Sequence, residues 1–281
     1  MKQKFGALAR CAAMVGAVAF AAAQPAQAAD PLPLADTHLH YSHDAWDVFP
    51  ADAAIALLKE AGLKRAFVSS SSDEGTQRLY KAAPDLVVPV LRPYRRRGEI
   101  ATWMHDPTRV PMLADLLRQN HYAGIGEFHA YGDDIKTEVL RGVIRLADEH
   151  DLFLHAHSDA AAIDLIFEED QEAIVLWAHA GFDRPAEVAA MLRKHRNLWA
   201  DLAFRSEQGQ GGQVPPEWRA LFEEFPDRFM VGTDTFTPER WPYVPVHADW
   251  SRAWLDGLPP EIAENIAWRN AERLLAAKRR P

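Results

Sequence analysis

Short apolar runs rich in Val, Ile, Leu and Phe alternate along this chain with longer stretches in which apolar residues return at helical spacing. The runs cover residues 34–40, 65–69, 86–91, 123–129, 152–157, 173–179, 198–204 and 228–234. Helical stretches include 52–61, 111–120, 137–150, 160–168, 185–195 and 216–225, and a last one spans 260–277. Eight strands, each followed by room for a helix, predict an α/β architecture. Runs this apolar predict burial on both faces, as in a parallel sheet. Eight such units in about 250 residues match one (β/α)₈ barrel, a TIM barrel. Alternation alone also allows a doubly wound sheet. The polar residues decide: His40, Glu127, His129, His157, His179 and Asp234 all fall at or near the C-terminal ends of their runs. In a barrel those ends meet at one mouth, where such enzymes carry their active sites.

The residues before position 29 follow a different pattern. Lys2, Lys4 and Arg10 precede an apolar stretch from Cys11 to Ala23, and Ala26-Gln27-Ala28 has the small-x-small form of a cleavage site. The stretch is short for a membrane span. Residues 1–28 are therefore expected to be a removed signal peptide and 29–281 one barrel domain, periplasmic or secreted and free of the membrane after cleavage. Removal takes away the only cysteine, so no disulfide and no thiol ligand is expected. It also takes the formal net charge from −9 to −12. An acidic chain lacks the basic footprint of a nucleic-acid binder. A small-molecule substrate is expected, and oligomeric state is not legible.

Within a strand, residues two apart point to the same side, roughly 6.6 Å apart at ~3.3 Å rise per residue. His38 and His40 can thus reach one ion from one strand, and Glu127 with His129 and His155 with His157 repeat the spacing. Imidazole and carboxylate suit borderline divalent metals. Such a metal activates water without a protein nucleophile, and a carboxylate such as Asp234 can take the water's proton. Each residue has an ordinary explanation. An H-x-H can sit on a surface, His179 can be a buried histidine with a backbone partner, Asp234 a helix N-cap, and Glu127 an arginine's partner. Five strands placing ligand-type residues at one end by accident is the harder proposition.

The motifs DTHLH at 36–40, GIGEFH at 124–129, LHAHSDA at 154–160, LWAHAGF at 176–182, LWADLAFR at 198–205 and MVGTD at 230–234 carry a resemblance. The chain resembles the amidohydrolase superfamily, in particular its small single-domain, amidohydrolase-related branch, and more distantly the TatD-like hydrolases. The resemblance implies that His38, His40 and Asp234 hold a first divalent metal. A strand-five histidine and His179 would hold a second or line the site. Glu127 matches the strand-four carboxylate that bridges two metals in TatD-like members and favours hydrolysis. No lysine stands in that place, so no carbamylated bridge is expected. The ion is expected to be Zn²⁺, with Mn²⁺, Ni²⁺, Co²⁺ or Fe²⁺ as alternatives. His155 and His157 both face inward; His157, nearer the mouth, is the preferred ligand and His155 the alternative. Asp36 shares their face and is read as a deeper barrel residue.

The loop after the third strand reads Arg92-Pro93-Tyr94-Arg95-Arg96-Arg97-Gly98, and Arg205 follows the seventh. Arginines at the mouth of an acidic protein suggest a carboxylate or phosphate pocket. Arg92 and Arg205 are the preferred anion binders, and His129 or His179 would stabilise charge developing on oxygen. The expected activity is metal-assisted hydrolysis of an amide, ester or lactone of a small, anionic substrate, with Asp234 and His179 as the catalytic pair. The alternatives are non-oxidative decarboxylation of an aromatic acid, phosphoester hydrolysis, and a non-catalytic metal- or ligand-binding role in the periplasm.

Overall fold

In the computed structural model, which describes residues 31–277, eight strands pair side by side in chain order, every pair parallel. They are β1 (Leu34–Leu39), β2 (Leu63–Val68), β3 (Val87–Leu91), β4 (Gly124–His129), β5 (Phe153–His157), β6 (Val175–Trp177), β7 (Leu198–Asp201) and β8 (Phe229–Met230). The sheet closes on itself just beyond the short β8. Thr37 N donates to Val231 O at 3.0 Å, Asp234 N to His38 O at 2.8 Å, and His40 N to Thr235 O at 2.9 Å. Closure leaves no open sheet edge and brings the strand ends together. The leader read from the sequence, Cys11 included, lies outside the described residues.

One helix follows each strand: α1 (Ala51–Glu60), α2 (Asp73–Ala82), α3 (Arg109–Gln119), α4 (Glu138–Glu149), α5 (Ala160–Glu169), α6 (Pro185–Lys194), α7 (Pro216–Glu224) and α8 (Val244–Leu255). Their apolar faces explain them. In α4, Val139, Leu140, Val143, Ile144, Leu146 and Ala147 are buried, the recurrence of a helix with one face on a sheet. Thr137 caps α4 by accepting from Leu140 N, and Asp159 caps α5 by accepting from Ala162 N. The stretch 260–277, expected as one helix, is α9 (Pro260–Glu264), a π-helical turn at Asn265–Arg269 and α10 (Asn270–Ala276). Ala271 and Leu274 of α10 join Ala35, Phe67, Val90, Leu176 and Met230 in one apolar cluster, so the last helix packs on the strands themselves.

Strands six, seven and eight stop short of residues 179, 204 and 234, where the apolar runs ended. The chain leaves extended conformation there: His179, Phe204 and Asp234 have φ of 57°, 59° and 47°. Side chains with a Cβ rarely adopt such angles, and they concentrate at functional sites. The pairing is also irregular between Gly126 and Phe128 in β4 and between Asp36 and Leu39 in β1, bracketing Glu127 and His38. Bulges of this kind re-aim side chains next to active sites. Gly126 is required by the close approach of β5: at its φ of +140° a Cβ would stand 2.2 Å from His155 O.

Candidate metal centre

His38 and His40 of β1, Glu127 of β4, His179 after β6 and Asp234 after β8 converge at the C-terminal mouth. All except Asp234 are almost wholly buried. His38 Nε2 lies 3.4 Å from Glu127 Oε1 and 3.6 Å from Asp234 Oδ1. His40 Nε2 lies 3.3 Å from Glu127 Oε2 and 3.3 Å from the same Asp234 oxygen. His179 Nε2 is 3.7 Å from Glu127 Oε1. Neither His38 Nε2 nor His40 Nε2 has a hydrogen-bond partner, although both are buried. Two ligand atoms each ~2.1 Å from one tetrahedral ion stand about 3.4 Å apart. The orphaned nitrogens and the separations both fit a divalent cation.

The opposite ring nitrogens set the tautomers. His179 Nδ1 donates to Ala203 O at 2.8 Å, and His38 Nδ1 to Asp201 Oδ2 at 3.2 Å. His40 Nδ1 donates to Ser69 O. Arg92 Nη1 also stands 3.2 Å from that nitrogen, but the closer partner is a carbonyl, which can only accept. Each imidazole therefore offers its Nε2 lone pair to the centre, the arrangement that outer partners impose on metal-binding histidines. The backbone partner expected as an ordinary explanation of His179 is present, and it is what aims the ring.

The carboxylates are ionised. Burial pushes Glu127 up, but the His38 beside it and the hydrogen bond from His157 outweigh it and hold it well below the usual range. Asp234 is held at about 2, because His38 and His40 outweigh its burial. Asp201 is likewise held low against burial by His38 and His155. Burial opposes charge on His38, yet Asp201, Glu127 and Asp234 together raise it well above the ordinary histidine value. Such a field favours positive charge at the centre. Arg92 offsets part of that field: Nη2 donates to Glu127 Oε2 at 2.7 Å and Nε to Glu127 O at 3.1 Å. Glu127 is thus an arginine's partner and a member of the cluster at once.

The two strand-five histidines separate. His157 Nδ1 meets Glu127 Oε1 at 2.7 Å, and Glu127, His157 and His179 form a second group of mutually close donors. His155 Nε2 instead meets Asp201 Oδ2 at 2.9 Å, in a deeper group with His38. Asp36 lies off the centre, accepting from His38 N and from Thr233 N and Oγ1, and burial raises it to about 6 despite those hydrogen bonds. The residue that sequence reasoning missed is Asp201, fully buried at the end of β7. Its Oδ1 accepts from His179 N and Ala203 N, both at 3.0 Å.

A pocket of about 200 Å³ opens over the centre, lined among others by Arg92, Arg97, His129, His157, Asp234 and Phe236. Burial, reinforced by His157 and Arg92 against the pull of Glu127, lowers His129 to about 3, so its ring is neutral. Arg205 is elsewhere. Its Nη1 donates to His179 O at 3.1 Å and Ala180 O at 3.3 Å, its Nη2 to Asp183 O at 2.7 Å, and its guanidinium covers Trp218. The structure therefore does not bring Arg205 into the pocket with Arg92; it straps the turn that carries His179. Arg95 pairs with Glu99 and Asp106, while Arg97 pairs with Asp44.

The amidohydrolase family model matches residues 35–276. No curated protein sequence matches the chain. Among solved structures, an uncharacterised TIM-barrel protein from Bordetella bronchiseptica is 17% identical, covering 80% of this chain and 82% of its own, with a TM-score of 0.56. A provisionally assigned 2-pyrone-4,6-dicarboxylic acid hydrolase from Acinetobacter baumannii, with citric acid bound, is 12% identical over 87% of this chain and 99% of that one (TM-score 0.56). An amidohydrolase from Burkholderia multivorans with bound zinc is 13% identical over 86% of this chain and 99% of that one (TM-score 0.53).

Proposed function

This chain belongs to the amidohydrolase family and is a metal-dependent hydrolase, and from that premise we propose that it hydrolyses an ester, lactone or amide bond in a small anionic molecule. The observation that carries the reading is the convergence of two orphaned imidazole Nε2 atoms on Glu127 and Asp234, directly beneath a pocket walled by Arg92 and Arg97. His38, His40 and Asp234 would hold one divalent ion, with Glu127, His157 and His179 placed to hold a second; zinc suits this donor set. Such an ion supplies Lewis acidity toward a carbonyl and lowers the pKa of water.

The chain's own residues do the rest. Asp234 is ionised, and its side chain is the more exposed of the two carboxylates, 15% against 3%. It is placed to orient water and take its proton. Arg240 holds it from behind, donating from Nε to Asp234 O at 3.0 Å and from Nη2 to Thr233 O at 2.9 Å. Arg92, already bound to Glu127, keeps that carboxylate ionised and adds positive charge to the pocket wall. The small pocket limits the substrate to few heavy atoms around the scissile carbonyl, and the dicarboxylate lactone in the Acinetobacter neighbour's name is of this class. Glu127 favours hydrolysis over decarboxylation. The leader pattern supports export to the periplasm.

The test is a panel of lactones, esters and amides, each with and without a free carboxylate, run on zinc-reconstituted protein. Hydrolysis of a carboxylate-bearing member is expected, and Asp234→Asn should lower kcat about 100-fold or more, the usual worth of a positioned general base. Turnover confined to aromatic acids, with release of carbon dioxide, would contradict the proposal.

A further inference from the structure

We infer that His129 serves the pocket as a neutral Nε2–H donor to a substrate carboxylate, and that Tyr94 is the positioning residue that fixes this tautomer. The inference rests on the reading of the pocket as a site for an anionic substrate. Its first support is a count of protons. His129 N, a backbone N–H that can only donate, gives its hydrogen to Tyr94 Oη at 2.7 Å. The same phenol oxygen lies 3.0 Å from His129 Nδ1. Tyr94 is 1% exposed, so its single hydroxyl proton needs a partner inside the protein. A buried hydroxyl left without one is desolvated with nothing to compensate it. Nδ1 is the acceptor in reach, which makes it the unprotonated nitrogen and places the ring's hydrogen on Nε2.

The second support is the way the ring is held. Trp103 Nε1 donates to His129 O at 3.0 Å, fixing the backbone from the other side. The imidazole stacks on His157 with centroids 4.1 Å apart and planes 25° from parallel. Nδ1 is turned to Tyr94, and the ring still lines the pocket beside Arg92 and Arg97. With Nδ1 so engaged, Nε2–H is the donor the ring has left for a pocket that two guanidinium groups also line. A neutral donor adds direction where the arginines add charge. His129 is consequently neither a proton acceptor nor a metal ligand in this arrangement. Tyr94, which touches no substrate, acts through it.

Histidine-labelled, zinc-loaded protein tests both halves by long-range ¹H–¹⁵N correlation, with the His129 signals identified by their loss in His129→Gln. A protonated Nε2 and bare Nδ1 are expected in the wild type, with an Nδ1–H population appearing in Tyr94→Phe. Phthalate, an aromatic dicarboxylate, should move the His129 Nε2 resonance. Its affinity should fall about tenfold or more in His129→Leu, the loss expected of a hydrogen bond to a charged group, and recover in His129→Gln, which keeps an N–H at that place. An Nδ1–H form in the wild type, an unchanged tautomer in Tyr94→Phe, an Nε2 resonance indifferent to phthalate, or equal affinity in His129→Leu would overturn the assignment. None of these readouts needs turnover, so failure here is distinct from failure of the hydrolase reading.

Discussion

Asp201 stands behind the centre, against the faces of its histidines that turn away from Glu127 and Asp234. One oxygen faces the His38 and His155 rings and the other two backbone N–H groups, including that of His179. A single carboxylate thereby sets the tautomer of one imidazole and the place of another. Outer partners of this kind typically contribute 10–100-fold to metal affinity. Asp201→Asn, which keeps the shape and removes the charge, should weaken zinc binding by about that factor in a competitive chelator titration. Unchanged affinity would show that His38 is held by its packing alone. The sequence made His38, His40, Glu127, His179 and Asp234 visible because each puts a ligand-type side chain at or near the end of an apolar run. Asp201 ends a strand too, but one aspartate after a strand resembles a helix cap, and nothing local shows that three other strands deliver donors to it.

At the scale of the elements, the residues after β6 and β8 matter more than the strands. The left-handed turn at His179, Ala180 and Gly181 lifts His179 out of line with β6, and Arg205 straps that turn through three carbonyls. The sequence placed Arg205 at the mouth correctly as to end of barrel, but it could not reveal that the guanidinium is occupied by backbone oxygens, since a bent backbone leaves no pattern in residue type. Losing hydrogen bonds from a buried charged donor costs about 1.5–3 kcal/mol. In a domain of this size that is roughly 3–12 °C in Tm. Arg205→Ala should lower Tm by this amount and weaken metal binding, with equal loss of activity toward carboxylate-bearing and neutral substrates. Unaltered Tm with selective loss toward the anionic ones would restore it as an anion binder. The helices α2 and α8 were not singled out in the sequence. Gly75 interrupts the pattern of one, and the Val244-Pro245 start obscures the other.

For the whole molecule, eight buried runs, five of them ending in ligand-type residues, were enough to give the barrel, because a parallel barrel buries each strand along its length and brings all the C-terminal ends to one mouth. Closure was not legible. It depends on backbone hydrogen bonds between β1 and the segment past β8, which carry no side-chain signature. That seam joins the His38 and His40 backbone to the segment that carries Asp234, so closure of the barrel is also what completes the candidate metal site. The account's central claim is therefore most directly tested by elemental analysis of the purified, zinc-reconstituted protein beside His38→Ala. One to two divalent ions per wild-type chain, and a marked loss in the variant, are the predicted result. Only a substoichiometric trace in the wild type, or undiminished metal in the variant, would contradict it.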